Sequence, residues 1–163
     1  MYRKVAVVGA ALVALVLTAS QVYAMTDNES VVRKFIEEAF NQGRLEVIDE
    51  LMSPDFVEHQ TLGHGAPAGR EAPKAIVSML RLAFPDFHLT IEDTASRGDT
   101  VWLRLRGTGT HDGPFMGRQP TGKRISVPVV DIMRVANGKI VEHWGVADRL
   151  GALQQIDSSP VGR

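Results

Sequence analysis

The sequence predicts an α+β fold, a curved antiparallel sheet with three helices on its concave face and a short helix at the C-terminal end. Three observations carry this reading. Apolar residues recur at helical spacing through the first half of the chain, the period changes from helical to two beyond Pro85, and Asn137-Gly138 joins two alternating runs as a hairpin. Helices first and an antiparallel meander afterwards exclude a parallel sheet, in which strands and helices would alternate.

The chain has 163 residues, room for one domain, and its 44% hydrophobic and 23% charged residues are the balance of an ordinary globular protein. Residues 1–24 depart from it. Arg3 and Lys4 precede an apolar run from Val5 to Ala19, and Val22 and Ala24 are small enough for the −3 and −1 subsites of a signal peptidase. This predicts a cleavable signal peptide over 1–24, export to the periplasm or exterior, and a mature domain over 25–163. The alternative is a cytoplasmic protein that starts at Met25.

Loss of Arg3 and Lys4 takes the 18 basic residues to 16 against 19 acidic ones, a formal charge of −3. That leaves no basic surface for nucleic acid, which needs clustered Lys and Arg. With no Cys, the chain has no disulfide, thiolate nucleophile or thiolate metal site.

Taken in order, Thr26 and Glu29 form a capping box, and Val32, Phe35, Ile36, Ala39 and Phe40 give the first helix its apolar face up to Gly43. A second helix runs from about Leu45 to Met52 and ends before Pro54. A short strand follows over Phe56 to Thr61. Gly63, Gly65, Pro67 and Gly69 mark a loop into a third helix from about Glu71 to Phe84, whose predicted buried side is Ile76, Met79, Leu80 and Ala83.

Phe87, Leu89 and Ile91 then alternate with His88, Thr90 and Glu92, and Val101, Leu103 and Leu105 alternate with Trp102, Arg104 and Arg106. A glycine-rich connection over Gly113 to Gly122 leads to a strand from Ile125 to Val135, and Lys139 to Val146 returns. Asp148 to about Ile156 reads as the closing helix, with Asp148 as its cap. Helices laid on a sheet that curls leave a space between the layers, which is the predicted pocket.

Phe40-Asn41-Gln42-Gly43, Pro54-Asp55-Phe56, Thr61-Leu62-Gly63-His64-Gly65, Phe115-Met116-Gly117 with Pro120-Thr121-Gly122-Lys123, and Asn137 to Trp144 with Asp148 beyond occur in an order and spacing that resembles the SnoaL-like polyketide cyclases. These are the ester cyclases of the nuclear-transport-factor-2-like superfamily of cone-shaped domains. The resemblance covers nearly all of residues 28–156. It implies a cone fold, a pocket that works without a cofactor, a homodimer, and intramolecular aldol ring closure. It also implies an aspartate as general acid/base two residues after the His143 position, where this chain has Gly145, and it aligns the family's pocket histidine with Asp131.

Asp131 lies among Ile125, Val127, Val129, Val130 and Ile132, a setting in which a carboxylate must be paired or have a displaced pKa. A two-residue Asn137-Gly138 loop places it opposite Trp144. A three-residue loop with a bulge at Gly138 places it opposite His143, making a dyad able to abstract a proton next to a carbonyl. The alternative is a structural pair or a solvent-facing carboxylate.

Glu58-His59 and His64 are candidates for the pocket mouth and for oxyanion contacts, the two histidines alternatively being polar loop residues; Trp102, Phe115, Met116 and Trp144 are candidates for its apolar lining, or are core. Arg104 and Arg106 are expected to pair with acidic residues on the outer face. The histidines lack close His-x-x-x-His spacing, so no metal site is predicted. No Gly-x-Ser-x-Gly motif supports a serine hydrolase. Two functions stay open: enolisation of a small apolar carbonyl compound with Asp131 as base and His143 orienting or sharing the proton, or non-catalytic binding of such a compound.

Overall fold

The computed structural model describes residues 28–60, 65 and 67–158. The signal-peptide segment, Thr26 of the capping box and His64 lie outside the described residues. Helix α1 spans 28–35 and passes into a π-helical turn over Ile36–Asn41, which ends just before Gly43 in the left-handed conformation (φ +73°). Helix α2 is Glu46–Leu51, α3 is Glu71–Ala83 and α4 is Arg149–Asp157. The strands are β1 (Met52–Glu58), β2 (His88–Arg97), β3 (Thr100–Thr110), β4 (Arg124–Ala136) and β5 (Lys139–Ala147).

The five strands form one sheet in the order β1-β5-β4-β3-β2. The meander from β2 to β5 is antiparallel, as alternation and tight turns require, but β1 pairs with β5 in parallel, so the sheet is mixed. Hairpin geometry dictates direction only between strands joined by a short turn, and β1 reaches β5 across the whole meander. β1 also starts earlier than predicted, at Met52. Pro54 falls in the irregular stretch between the Met52–Ile140 and Val57–Glu142 pairs of this edge strand, where its missing N–H costs no ladder bond.

Phe35, Ile36, Ile48, Met52, Leu103, Leu105, Met133 and Ile140 form the centre of the core between the helices and one face of the sheet. The apolar side of α3 divides in two. Ala72, Pro73, Val77 and Ala83 are buried, whereas Ile76, Met79 and Leu80, predicted to be core, line a cavity. The segment 111–123 is docked on the end of α3: Asp112 and Gly113 donate their amides to the Ala83 carbonyl, and a Cβ on Gly113 would lie 2.0 Å from the Leu82 oxygen. Only glycine permits that approach.

The β4–β5 hairpin has a two-residue turn, with Asn137 (φ 52°) and Gly138 (φ 70°) both left-handed and Ala136 paired with Lys139. The ladder then slips, from Val135 opposite Ile140 to Arg134 opposite Glu142, leaving Val141 without a partner. Every later pair is displaced by one residue. Asp131 therefore faces Gly145, and neither predicted register, opposite Trp144 or opposite His143, is the one adopted.

Candidate active site

Pairing across the sheet places two rows of side chains on the face toward the helices. One row is Val101, Met133, His143 and Glu58, the last through the parallel β1–β5 pair; the neighbouring row is Leu103, Asp131 and Gly145. His143 and Asp131 are thus diagonal neighbours on one face. Gly145 carries no side chain, and a Cβ there would lie 2.6 Å from His143 Cε1 and 2.9 Å from Asp131 Oδ1. The glycine at the position where the resemblance calls for an acid is what lets the imidazole and the Asp131 carboxylate share that space.

His143 is held between two carboxylates. Its Nδ1 lies 2.9 Å from both Oε1 and Oε2 of Glu58, and its Nε2 lies 3.3 Å from Asp131 Oδ1. The Glu58 contact has hydrogen-bond geometry. The Asp131 contact is an ion pair off the donor axis, so Nε2 is buried without a hydrogen-bond partner. Only about a tenth of each of the three side chains is exposed (12% for His143, 7% for Glu58, 10% for Asp131). Burial alone would lower the His143 pKa, but the carboxylates of Asp131 and Glu58 outweigh it and raise the pKa to about 9. At neutral pH the ring is an imidazolium, and the three groups together carry one negative charge.

Glu58 is further fixed by the backbone amide of Gln60, which donates to Oε1 at 2.8 Å. Sequence reading put Glu58 at the pocket mouth and did not identify it as the partner of His143. The available signal was alternation in β1, where Phe56 points to the core, Val57 outward and Glu58 inward again.

These groups open on a cavity of about 460 Å³, within the range of small-molecule sites. Phe35, Phe40, Leu80, Phe84, Phe87, Val127 and Val129 make most of its wall apolar. Glu58, Gln60, Asp131 and His143 form one polar region, and Asp148 and Arg149 form a second. Phe115 and Met116 line the cavity, carried there by the docked 111–123 segment. Phe115 packs edge-on against Phe84 at 5.0 Å, and Met116 is left-handed (φ 45°) and half exposed.

Three predicted pocket residues are elsewhere. Trp102 and Trp144 belong to strand positions of opposite parity from the cavity row, so they lie on the outer face of the sheet, in one line with Ile132. His59 stacks on Trp144 at 4.4 Å with the rings nearly parallel, and its Nε2 lies 2.9 Å from Glu142, which also binds Arg134. It is an outer-face residue and does not reach the cavity. Arg104 and Arg106 pair with Glu92. Asp148 caps α4, accepting the Gly151 amide at 2.7 Å. Among the described residues, no three His, Asp or Glu side chains converge to hold a metal ion.

The profile of the SnoaL-like polyketide cyclases matches residues 30–156. The chain belongs to that family. It is 35% identical over 120 residues to nogalonic acid methyl ester cyclase of Streptomyces nogalater, a match covering 72% of this chain and 89% of the relative. Aklanonic acid methyl ester cyclase of Streptomyces peucetius is 30% identical over 134 residues, covering 81% of this chain and 92% of the relative. Among solved structures, a SnoaL-like protein of Jannaschia Sp. CCS1 superimposes with a TM-score of 0.73 at 29% identity, covering 83% of this chain and 95% of that one. As a SnoaL-like chain, this protein keeps the fold and departs from the family's expected acid/base position at Gly145.

Proposed function

We propose that the protein is a cofactor-independent cyclase acting on an apolar carbonyl compound whose reacting end is uncharged, as an ester is. The observation that carries the reading is the Glu58–His143–Asp131 group at one end of an otherwise apolar cavity. The Asp131 carboxylate removes a proton from the carbon next to the carbonyl. The His143 imidazolium, its Nδ1–H committed to Glu58, offers the unpartnered Nε2–H to the oxygen that becomes negative. The enolate carbon attacks a second carbonyl of the same molecule and closes a ring. The proton taken by Asp131 ends on the new hydroxyl, directly or through His143, so substrate and product are isomers and no oxidant or leaving group is needed. Two carboxylates with one imidazolium repel a free acid at this end, which favours the ester.

Aklanonic acid methyl ester, the compound in the names of several relatives, is the probe. In D₂O the wild type is expected to exchange the hydrogen next to the ester carbonyl for deuterium, and in H₂O to give a product isomeric with the substrate. Asp131→Asn is expected to slow the exchange by at least about 100-fold, the usual contribution of a positioned acid/base. The second reading is a non-catalytic binder, favoured by Gly145 in place of the family's aspartate; tight binding without hydrogen exchange would establish it.

The same reading includes a homodimer formed through the outer face of the sheet. Trp102, Ile132 and Trp144 form one row across three strands, with Val130 and Val146 paired beside it, and a second copy would cover them.

A further inference from the structure

We infer that Arg149 is the anchor for an acidic group on the substrate, so that the cavity takes a molecule with a neutral carbonyl at one end and a carboxylate, sulfonate or ionised phenol at the other. This rests on the cyclase reading for the identity of the first end only.

The cavity has two polar regions of different character. At the Glu58–His143–Asp131 end two carboxylates enclose one imidazole, and an anionic group placed there would meet a net negative charge. The other region comes from the start of α4, where Asp148 and Arg149 both line the cavity. Along β5 from His143 to Ala147 the chain covers roughly 13 Å at about 3.3 Å per residue. The two regions therefore lie at different points along the chain, with His143 and Gly145, which Asp131 faces, before Ala147 and the start of α4.

The two α4 residues differ in what they have left to offer. Asp148 turns its carboxylate to the Gly151 amide, at 2.7 Å, and is used in capping the helix. Arg149 makes no ion pair or hydrogen bond within the described residues. Most other guanidinium groups there are engaged: Arg33 with Glu29, Arg44 with Glu38, Arg104 and Arg106 with Glu92, Arg118 with Asp157, Arg134 with Glu142, and Arg81 with backbone carbonyls of 40, 41, 85 and 87. Arg97 and Arg124 also make no hydrogen bond or ion pair there through their side chains, although Arg124 acts electrostatically on Asp86, and neither lines the cavity. A planar five-donor cation at the wall of an apolar cavity, uncommitted to any protein carboxylate, is a receptor for an oxyanion of the ligand. The acid end repels the same group, so the pair of regions sets one orientation and brings the uncharged carbonyl to Asp131 and His143.

Two dyes with one aromatic body test this without turnover: 8-anilinonaphthalene-1-sulfonate, which carries an anion, and N-phenyl-1-naphthylamine, which does not. Fluorescence titration of the wild type is expected to show tighter binding of the sulfonate dye. Arg149→Gln should weaken that dye about fivefold, the upper range for a solvated ion pair, leave the neutral dye unchanged, and remove the salt dependence of the difference. Arg149→Glu should reverse the preference. Equal binding of both dyes by the wild type, or an equal loss of both in Arg149→Gln, would overturn the proposal. Because no step of the assay is chemical, failure of hydrogen exchange in the ester would remove the cyclase reading and leave this result standing.

Discussion

Glu58 and His143 stand directly opposite each other in the one parallel strand pair of the sheet, with Nδ1 of the imidazole 2.9 Å from both carboxylate oxygens. The contact joins an edge strand that precedes α3 to the last strand of the meander. Its consequence is chemical: Glu58 fixes the proton on Nδ1 and turns Nε2 toward Asp131 and the cavity. A histidine so placed keeps its proton at neutral pH, which is the state the proposed cyclase reading requires of it, with Asp131 as the proposed base.

This arrangement makes a prediction for NMR. In the wild type the His143 ring should titrate near pH 9, well above the ordinary 6.5. Replacing Asp131 by Asn or Glu58 by Gln removes one of the two charges that raise it, so either change should bring the midpoint down, and the double variant further. A midpoint that stays put in both single variants would mean that the carboxylates do not act on the ring.

Gly145 provides a sharper test because it contributes no atoms of its own to the site. Gly145→Ala puts a methyl group 2.6 Å from His143 Cε1 and 2.9 Å from Asp131 Oδ1, so the two must separate. The expected cost is about 1–3 kcal/mol of stability, as for overpacking in a core, with a fall in ester hydrogen exchange of at least about tenfold. Gly145→Asp, which supplies the acid the family resemblance calls for, should be worse rather than better, since it adds a third carboxylate as well as the clash. Full activity in either variant would place the chemistry elsewhere.

Much of this was legible in the chain and some was not, for reasons of range. The change of period at Pro85, the Asn137-Gly138 turn and the cap at Asp148 are local signals, and the elements they predict are present. The parity of β3 and β5 was also available: Trp102 alternates with Val101 and Leu103, and Trp144 follows His143, so a cavity-facing His143 already sends Trp144 outward. What the local signals do not contain is the unpaired Val141, which displaces the register by one, and the parallel pairing that brings Glu58 to His143. Both depend on how segments distant in sequence fit together, and a one-residue slip is enough to change every partner.

The ion pairing also has a signature in stability. The His143 pKa is raised on folding, from 6.5 to about 9, so its contribution is fully present below pH 6.5 and is lost as the pH rises to 9, where the folded ring gives up its proton. The size is on the order of a few kcal/mol. Urea midpoints should therefore fall between pH 6.5 and 9 in the wild type, and His143→Gln should lose that part of the slope. A wild-type midpoint that rises over this interval would contradict the charged state of the ring, and with it the assignment of His143 as acid.

The outer face of the sheet sets the last prediction. Trp102 and Trp144 are 36% and 38% exposed, Val130 is 48% exposed and Val146 72%, and the register lays them side by side on β3, β4 and β5. Water against so much contiguous apolar surface is costly, and two copies related by a two-fold axis can each cover the other with the same residues. Sedimentation velocity should give twice the monomer mass at micromolar concentration. Val146→Glu puts a charge on the most exposed apolar residue of the patch and should shift the protein to monomer while leaving the His143 titration near pH 9. A monomeric wild type would remove the dimer reading, and dimers that survive Val146→Glu would locate the contact on another face. Either result leaves the cavity untouched, because the two tryptophans project from one side of the strands and His143 and Asp131 from the other.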